Sequence, residues 1–219
     1  MKLLSVNVSL PRPVDYQGRT VETGIFKSPV SGRVPVRRLN LDGDGQADLT
    51  GHGGVNRAVY AYPYEHYGHW AVELGRDDFS YGQFGENLTV EGLTEETVYI
   101  GDVIRIGTAR LEVSQPRPPC FKLGLRMGQP TFPKAFLASG RVGFYLRVLE
   151  EGEIGAGDAI FREALGVGRM TVREISHLLH FDKGNSEAAA RAAELPALSQ
   201  PWRESFAGLA GKPSTTSGL

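Results

Sequence analysis

Val103-Ile104-Arg105-Ile106 and Ala109-Arg110-Leu111-Glu112-Val113, with Gly107-Thr108 between them, decide the fold class. Apolar and polar residues alternate in these runs, the period of a strand with one face in a core, and a glycine sits in the connection. The pattern recurs in both directions from this pair. Near the start Leu4, Val6, Val8 and Leu10 alternate with Ser5, Asn7 and Ser9, and Val34 to Leu39, Ala58 to Tyr62, Glu86 to Val90 and Val142 to Leu149 are further short β-rich runs between glycine-containing turns. Regular short strands of this kind predict a mainly β fold closed into a barrel. Two segments, Ile100-Gly101-Asp102-Val103-Ile104 and Ala156-Gly157-Asp158-Ala159-Ile160, share a Gly-Asp turn feeding a strand, which makes both aspartates turn formers.

Helices are expected at two places within the β region. Pro63 opens one, with Tyr64, Tyr67, Ala71 and Leu74 spaced for a single face, and a second covers Phe132 to Leu137. After Phe161 the strand patterns stop. Thr171-Val172-Arg173-Glu174 reads as a capping box ahead of Ile175, Leu178 and Leu179, Ser186 to Leu195 as a second helix, and Ser199-Gln200-Pro201-Trp202 as the start of a third that carries Phe206 and Leu209. The expected organisation is a β-barrel over residues 1–163, a small three-helix domain over 164–210 and a disordered tail over 211–219. Three short helices invite comparison with a DNA-reading helix-turn-helix, but Glu174, Glu187, Glu194 and Glu204 offset the few cations, so no basic face is available for phosphates. A docking or gating bundle is expected instead.

Composition narrows the partners. With 24 basic and 25 acidic residues the net charge is −1, so the surface as a whole attracts neither duplex nucleic acid nor an anionic membrane. No run approaches the ~18 apolar residues of a membrane span, and the opening strand is too short and too alternating for a signal peptide. The single cysteine forbids an intramolecular disulfide, in keeping with a reducing compartment. A cytoplasmic protein is expected.

That cysteine, Cys120, stands in Gln115-Pro116-Arg117-Pro118-Pro119-Cys120-Phe121-Lys122-Leu123. Three prolines fix φ and remove backbone donors, which predicts a stiff loop in place of an interior strand or helix. A lone cysteine is commonly a small buried hydrophobe. Here Arg117 and Lys122 flank it with positive charge that favours the thiolate, the form that attacks electrophiles or binds soft metals. The second informative segment is Gly51-His52-Gly53-Gly54-Val55-Asn56-Arg57, where glycines permit close backbone approach and His52 and Arg57 supply donors. Lys27, Ser28, Arg33 and Asn87 add donors on other loops for a phosphate or a polar heterocycle. No P-loop or dinucleotide-binding fingerprint is present. One cysteine and five scattered histidines lack the paired spacing of a zinc site, with His66 and His69, at i and i+3, expected in surface or packing roles, and Asp42 to Asp48 departs from a calcium loop at Gln46, Ala47 and Gly53.

Taken together, Lys27-Ser28-Pro29-Val30, Asp42 to Asp48, His52-Gly53-Gly54, Phe84 to Thr89, Pro116 to Leu123 and Gly140 to Tyr145 resemble the MOSC family, named for the molybdenum cofactor sulfurase C-terminal domain. Within it they are most similar to the YiiM-like branch, which carries a C-terminal three-helix (3-alpha) domain. The resemblance covers nearly the whole chain. It implies a closed β-barrel of the pyruvate-kinase β-barrel type that holds the molybdenum cofactor, a Mo-molybdopterin, with Cys120 as a protein sulfur ligand to the metal. It implies Lys27, Ser28, Arg57 and Arg117 as candidates for the pterin phosphate, with Gly53, Gly54 and Lys122 beside the cofactor. Asn87 would contact the pterin or substrate, and His52 would be a catalytic acid for the departing oxygen. The implied activity is reduction of N-hydroxylated compounds, N-hydroxylated purine bases included, in detoxification. The sequence holds no flavin, haem or iron–sulfur pattern, so electrons would come from a separate flavoprotein-type donor, and a homodimer is compatible with the chain. Pyridoxal phosphate belongs to family members fused to a sulfurase and is not expected here. Two other readings stand beside this one: sulfur transfer through a Cys120 persulfide, and a non-enzymatic carrier of the cofactor.

Overall fold

The expected hairpin over Val103 to Val113 is present: β8 (Val103–Ile106) pairs antiparallel with β9 (Ala109–Pro116), Ile104 opposite Leu111. It belongs to a computed structural model that describes residues 1–48 and 51–211. The other strands are β1 (Lys2–Val8), β2 (Arg12–Tyr16), β3 (Arg19–Thr23), β4 (Ser28–Pro29), β5 (Arg33–Val36), β6 (Val59–Pro63), β7 (Leu88–Glu91), β10 (Phe144–Glu150), β11 (Gly152–Gly155) and β12 (Ile160–Ala164). The helices are α1 (Glu65–Leu74), α2 (Phe121–Met127), α3 (Phe132–Ser139), α4 (Val172–His180), α5 (Ser186–Ala193) and α6 (Gln200–Ala210), and Val55–Arg57 makes one 3-10 turn.

The expectation of a closed barrel is not met. Eight strands form one open sheet in the order β12-β8-β9-β10-β6-β7-β1-β4, with β12 and β4 at its two ends. Strands β5 and β11 form a separate two-stranded sheet, and so do β2 and β3. The fold is mixed α/β with open sheets and a small helical region at the C-terminus. The physical reason for the error is simple: alternation shows that a strand has one buried face, and an open sheet curved over a core needs that as much as a closed barrel does. The neighbouring elements α1 and α3 cover apolar surface that a barrel would have enclosed by itself.

Two apolar clusters hold these elements. The larger joins Leu3, Val6, Leu88, Leu111, Val113, Phe144 and Leu146 of the sheet to Val172, Ile175, Trp202 and Phe206 of α4 and α6. The smaller is aromatic: Tyr62 of β6, Trp70 of α1, Phe84, and Phe132 and Phe136 of α3, with Trp70 and Phe136 stacked at 5.7 Å and Trp70 Nε1 donating to Tyr62 Oη at 2.7 Å. Full burial of each such ring contributes about 1.5–3 kcal/mol. The cluster seats the loop Phe84–Asn87, whose Glu86 is buried and accepts hydrogen bonds from the Gly82 and Phe84 amides, both at 2.9 Å.

Several local expectations hold and others shift. Asp102 and Asp158 act as turn formers, accepting from the Tyr99 amide at 3.1 Å and the Gly155 amide at 2.9 Å. The capping box closes both ways, Glu174 N to Thr171 Oγ1 at 3.1 Å and Thr171 N to Glu174 Oε2 at 2.7 Å. In α1, Tyr64 is an exposed N-cap outside the buried face, which is made by His66, Tyr67 and Trp70. Strand β9 continues through Pro116, opposite Phe144, so the stiff loop is shorter than expected and spans 117–120. Of the tail expected over 211–219, residues 212–219 lie outside the described residues.

Candidate functional site

A cleft opens where the C-terminal end of β9, the loop before α2, the segment before the 3-10 turn and the β6–β7 region converge. Its lining includes Lys27, His52, Gly53, Arg57, Asn87, Arg117, Cys120 and Lys122, eight residues singled out from four separate stretches of sequence. Ser28 and Gly54 are not among the lining residues: Ser28 is exposed on β4 opposite Val8, and Gly54, at φ 82°, forms the N-cap of the 3-10 turn.

Cys120 owes its place to the end of β9. The strand stops at Pro116, Pro118 and Pro119 carry the chain onward, and Cys120 takes the extended N-cap conformation of α2, φ −126° and ψ 172°. Burial pushes its thiol up. Hydrogen bonding by His52, the charge of Arg117 and the Lys122 amide outweigh that and bring it down to about 7. Alkylation of Cys120 by iodoacetamide should therefore rise through a midpoint at about pH 7, because the thiolate is the reactive form and its fraction grows with pH. His52→Ala removes one of the supporting groups and should move that midpoint to higher pH; an unmoved profile would show that His52 does not stabilise the thiolate.

Arg117 is buried yet makes no ion pair among the described residues, and its Nη1 lacks a hydrogen-bond partner. Its guanidinium lies over the rings of Tyr60 at 5.3 Å and Phe136 at 5.5 Å, so aromatic faces hold it in place. Nη1 is thus held in place without a hydrogen-bond partner among the described residues. Arg57 donates through Nη1 to the Gly51 carbonyl, which folds the segment 51–57 onto itself and keeps its guanidinium at the cleft. His52 Nδ1 is 3.6 Å from an Asp48 carboxylate oxygen.

Lys27 and Asn87 stand differently from the other cleft residues. Lys27 is buried and its ammonium is paired with Asp44, whose side chain is fully buried; burial lowers the lysine pKa, opposed by the Asp44 charge. Asp44 also accepts from Asn87 Nδ2 at 2.9 Å and the Ser9 amide at 3.0 Å. Asn87 Oδ1 accepts from the Tyr60 amide at 3.1 Å. Both therefore fasten the cleft floor, and the cations left for a ligand are Arg57, Arg117 and Lys122. Sequence reasoning passed over Asp44, Tyr60 and Tyr145. Asp44 lies in the stretch tested and rejected as a calcium loop, and its role shows only once Lys27 and Asn87 are brought beside it.

One polarizable sulfur near its ionisation point, surrounded by cations and an imidazole, can bind an anionic ligand and offer a soft donor to it. Among the described residues no group of three or more His, Cys, Asp or Glu could hold a metal ion. Any metal at Cys120 would need its remaining ligands from a bound molecule.

Comparison with known proteins defines the class. The MOSC domain model matches residues 48–161 and the YiiM-like, 3-alpha helix domain model residues 170–208, and the chain belongs to the MOSC family. Among its relatives are YflK of Bacillus subtilis, 44% identical over 93% of this chain and 92% of that protein, and YiiM of Escherichia coli, 36% identical over 82% of this chain and 81% of that one. A protein of Gibberella moniliformis named as a reductase is 34% identical over 82% of this chain, a match that covers 32% of that protein. The crystal structure of YiiM from Geobacillus stearothermophilus superposes with a TM-score of 0.81 at 38% identity, covering 95% of this chain and 98% of that one. Among the described residues no helix is long and apolar enough to cross a membrane.

Proposed function

We propose that this chain is a molybdenum-cofactor-dependent reductase of N-hydroxylated compounds, N-hydroxylated purine bases among them, with Cys120 as the metal's protein ligand. The observation that carries the reading is the pairing of a thiol brought to about 7 with the buried guanidinium of Arg117, whose Nη1 has no hydrogen-bond partner, in one cleft. Family membership and the reductase-named relative support it. The donor set fits the group: a thiolate suits a soft metal, and Arg57, Arg117 and Lys122 suit a phosphate.

When bound, the cofactor supplies the two electrons that break the N–O bond. The chain's own residues do the rest. Cys120 presents its sulfur from a backbone held by prolines, so little freedom is lost on ligation. Arg117 and Arg57 bind and orient the anionic end of the ligand, worth about 1.5–3 kcal/mol for each charge-assisted hydrogen bond. The His52 imidazole would pass one proton to the oxygen that leaves as water, and a second proton from solvent would complete the amine. A separate flavoprotein-type donor returns the electrons.

The test is purification from a host that makes the cofactor, followed by metal analysis and assay of an N-hydroxylated purine with a reduced dye. About one molybdenum per chain with conversion of hydroxylamine to amine is expected. Molybdenum without turnover would leave a carrier, and labile sulfur on Cys120 without metal would replace this reading with sulfur transfer.

A further inference from the structure

Arg147 lies outside the cleft, yet its contacts lead into it. It sits on β10 opposite Glu112 of β9, on the same sheet face as Tyr145 two residues before it, and Tyr145 lines the cleft. Its guanidinium reaches three elements. Nε and Nη2 donate to Asn56 Oδ1 at 2.9 and 2.6 Å, Nη1 donates to Glu112, and Nη2 donates also to the Ala197 carbonyl at 3.1 Å. Asn56 is the middle residue of the 3-10 turn whose last residue is Arg57. Ala197 lies between α5 and α6 in the helical region.

Asn56 is held a second time by an irregularity in the sheet. The pairing of β9 and β10 shifts between Tyr145 and Leu146, leaving Ser114 as the extra residue of a bulge. Its buried Oγ is 2.6 Å from the Asn56 carbonyl oxygen and 3.1 Å from that of Tyr145. The turn's other ties, Arg57 N to the Gly54 carbonyl and Arg57 Nη1 to that of Gly51, are local and would move with it. Besides the chain connection through Ala58 to Val59 of β6, which pairs with Leu146 of β10, side-chain ties from β9 and β10 hold the turn against the sheet, and Arg147 alone of these carries it on to the helical region.

We propose that Arg147 is a positioning residue: it fastens the 3-10 turn to the helical region through Ala197, so the seat of the Arg57 guanidinium in the cleft depends on how that region is docked. This rests on the reading that Arg57 holds the anionic end of the ligand. Arginine suits the task because its planar fork serves several acceptors at fixed angles, which a lysine cannot do.

The experiment uses the full chain without cofactor, and it reads hydrogen exchange over residues 54–58 and binding of inorganic phosphate. Arg147→Met should speed exchange at the turn about tenfold and weaken phosphate binding about tenfold, the loss of one charge-assisted hydrogen bond. Arg147→Lys should fall between, and it keeps the charge should Arg147→Met fold poorly. Asn56→Ala should reproduce the effect, with the Arg147→Met/Asn56→Ala double variant no worse than either single one. Unchanged exchange at the turn, or additive effects in the double variant, would overturn the tie. Faster exchange with unaltered phosphate affinity would overturn the positioning role. A wild-type chain that binds no phosphate refutes the anion reading of Arg57 and the positioning role with it, while exchange still decides whether the tie exists.

Discussion

Cys120→Ser is expected to lose molybdenum and to reduce N-hydroxylated purines about a hundredfold more slowly, or worse, while folding as well as the parent chain. Even residues that only support a metal ligand cost about 10–100-fold when removed, and Cys120 is proposed as the ligand itself. Serine offers a hard, mostly protonated oxygen in place of a sulfur that ionises at about 7. The fold has no reason to suffer. Cys120 occupies the N-cap of α2 in an extended conformation and makes no side-chain cap hydrogen bond, and serine is among the preferred residues there. Stability should stay within about 0.5 kcal/mol, or rise. Metal analysis beside thermal unfolding separates loss of the ligand from loss of the fold, and full molybdenum retention with parent activity would remove Cys120 from the metal.

What the sequence made legible follows the range of the interactions involved. The hairpin β8–β9, the capping box at Thr171 and Glu174 and the Gly-Asp turns are decided within a few residues, and they appear as expected. Closure of a sheet depends on which edges meet across the chain, and alternation carries no information about that. Helix α2 was missed for a related reason. Phe121, Leu123, Leu125 and Met127 alternate as a strand would, and only the helix-ending Gly128, at φ 67°, marks the true conformation. The hairpin of β2 and β3 has few apolar residues and a Gln17-Gly18 turn with positive φ at both positions, a weak signal without a buried face. At the site, chemical types were readable but commitments were not. Lys27 and Arg117 are both cations within loops, yet one is ion-paired with Asp44 while the other makes no ion pair among the described residues and keeps an Nη1 without a hydrogen-bond partner.

Asp44→Ala should be the most damaging single change outside the apolar cores, lowering stability by about 3–5 kcal/mol, because it leaves the buried Lys27 ammonium unpaired. The same change strips an acceptor from Asn87 and from the Ser9 amide. In urea the midpoint should fall by roughly 1–5 M, the loss divided by a slope of roughly 1–3 kcal/mol per M. Changing Lys27→Met together with Asp44→Leu should recover much of the loss, since an apolar pair no longer carries an uncompensated charge. The pH dependence has a definite sign. Lys27 has a folded-state pKa below its usual value through burial, and the Asp44 carboxylate is the main partner that opposes this. Between the lowered folded value and the unfolded value of roughly 10.4 the unfolded chain binds more protons, so stability rises with pH in that window. Without Asp44 the folded value falls further, so the variant's deficit should shrink as pH rises from the variant's folded value to the parent's. A deficit that shrinks nowhere as the pH is raised would mean that Lys27 turns out to solvent when Asp44 is gone, and Lys27 would then return to the set of cations open to a ligand.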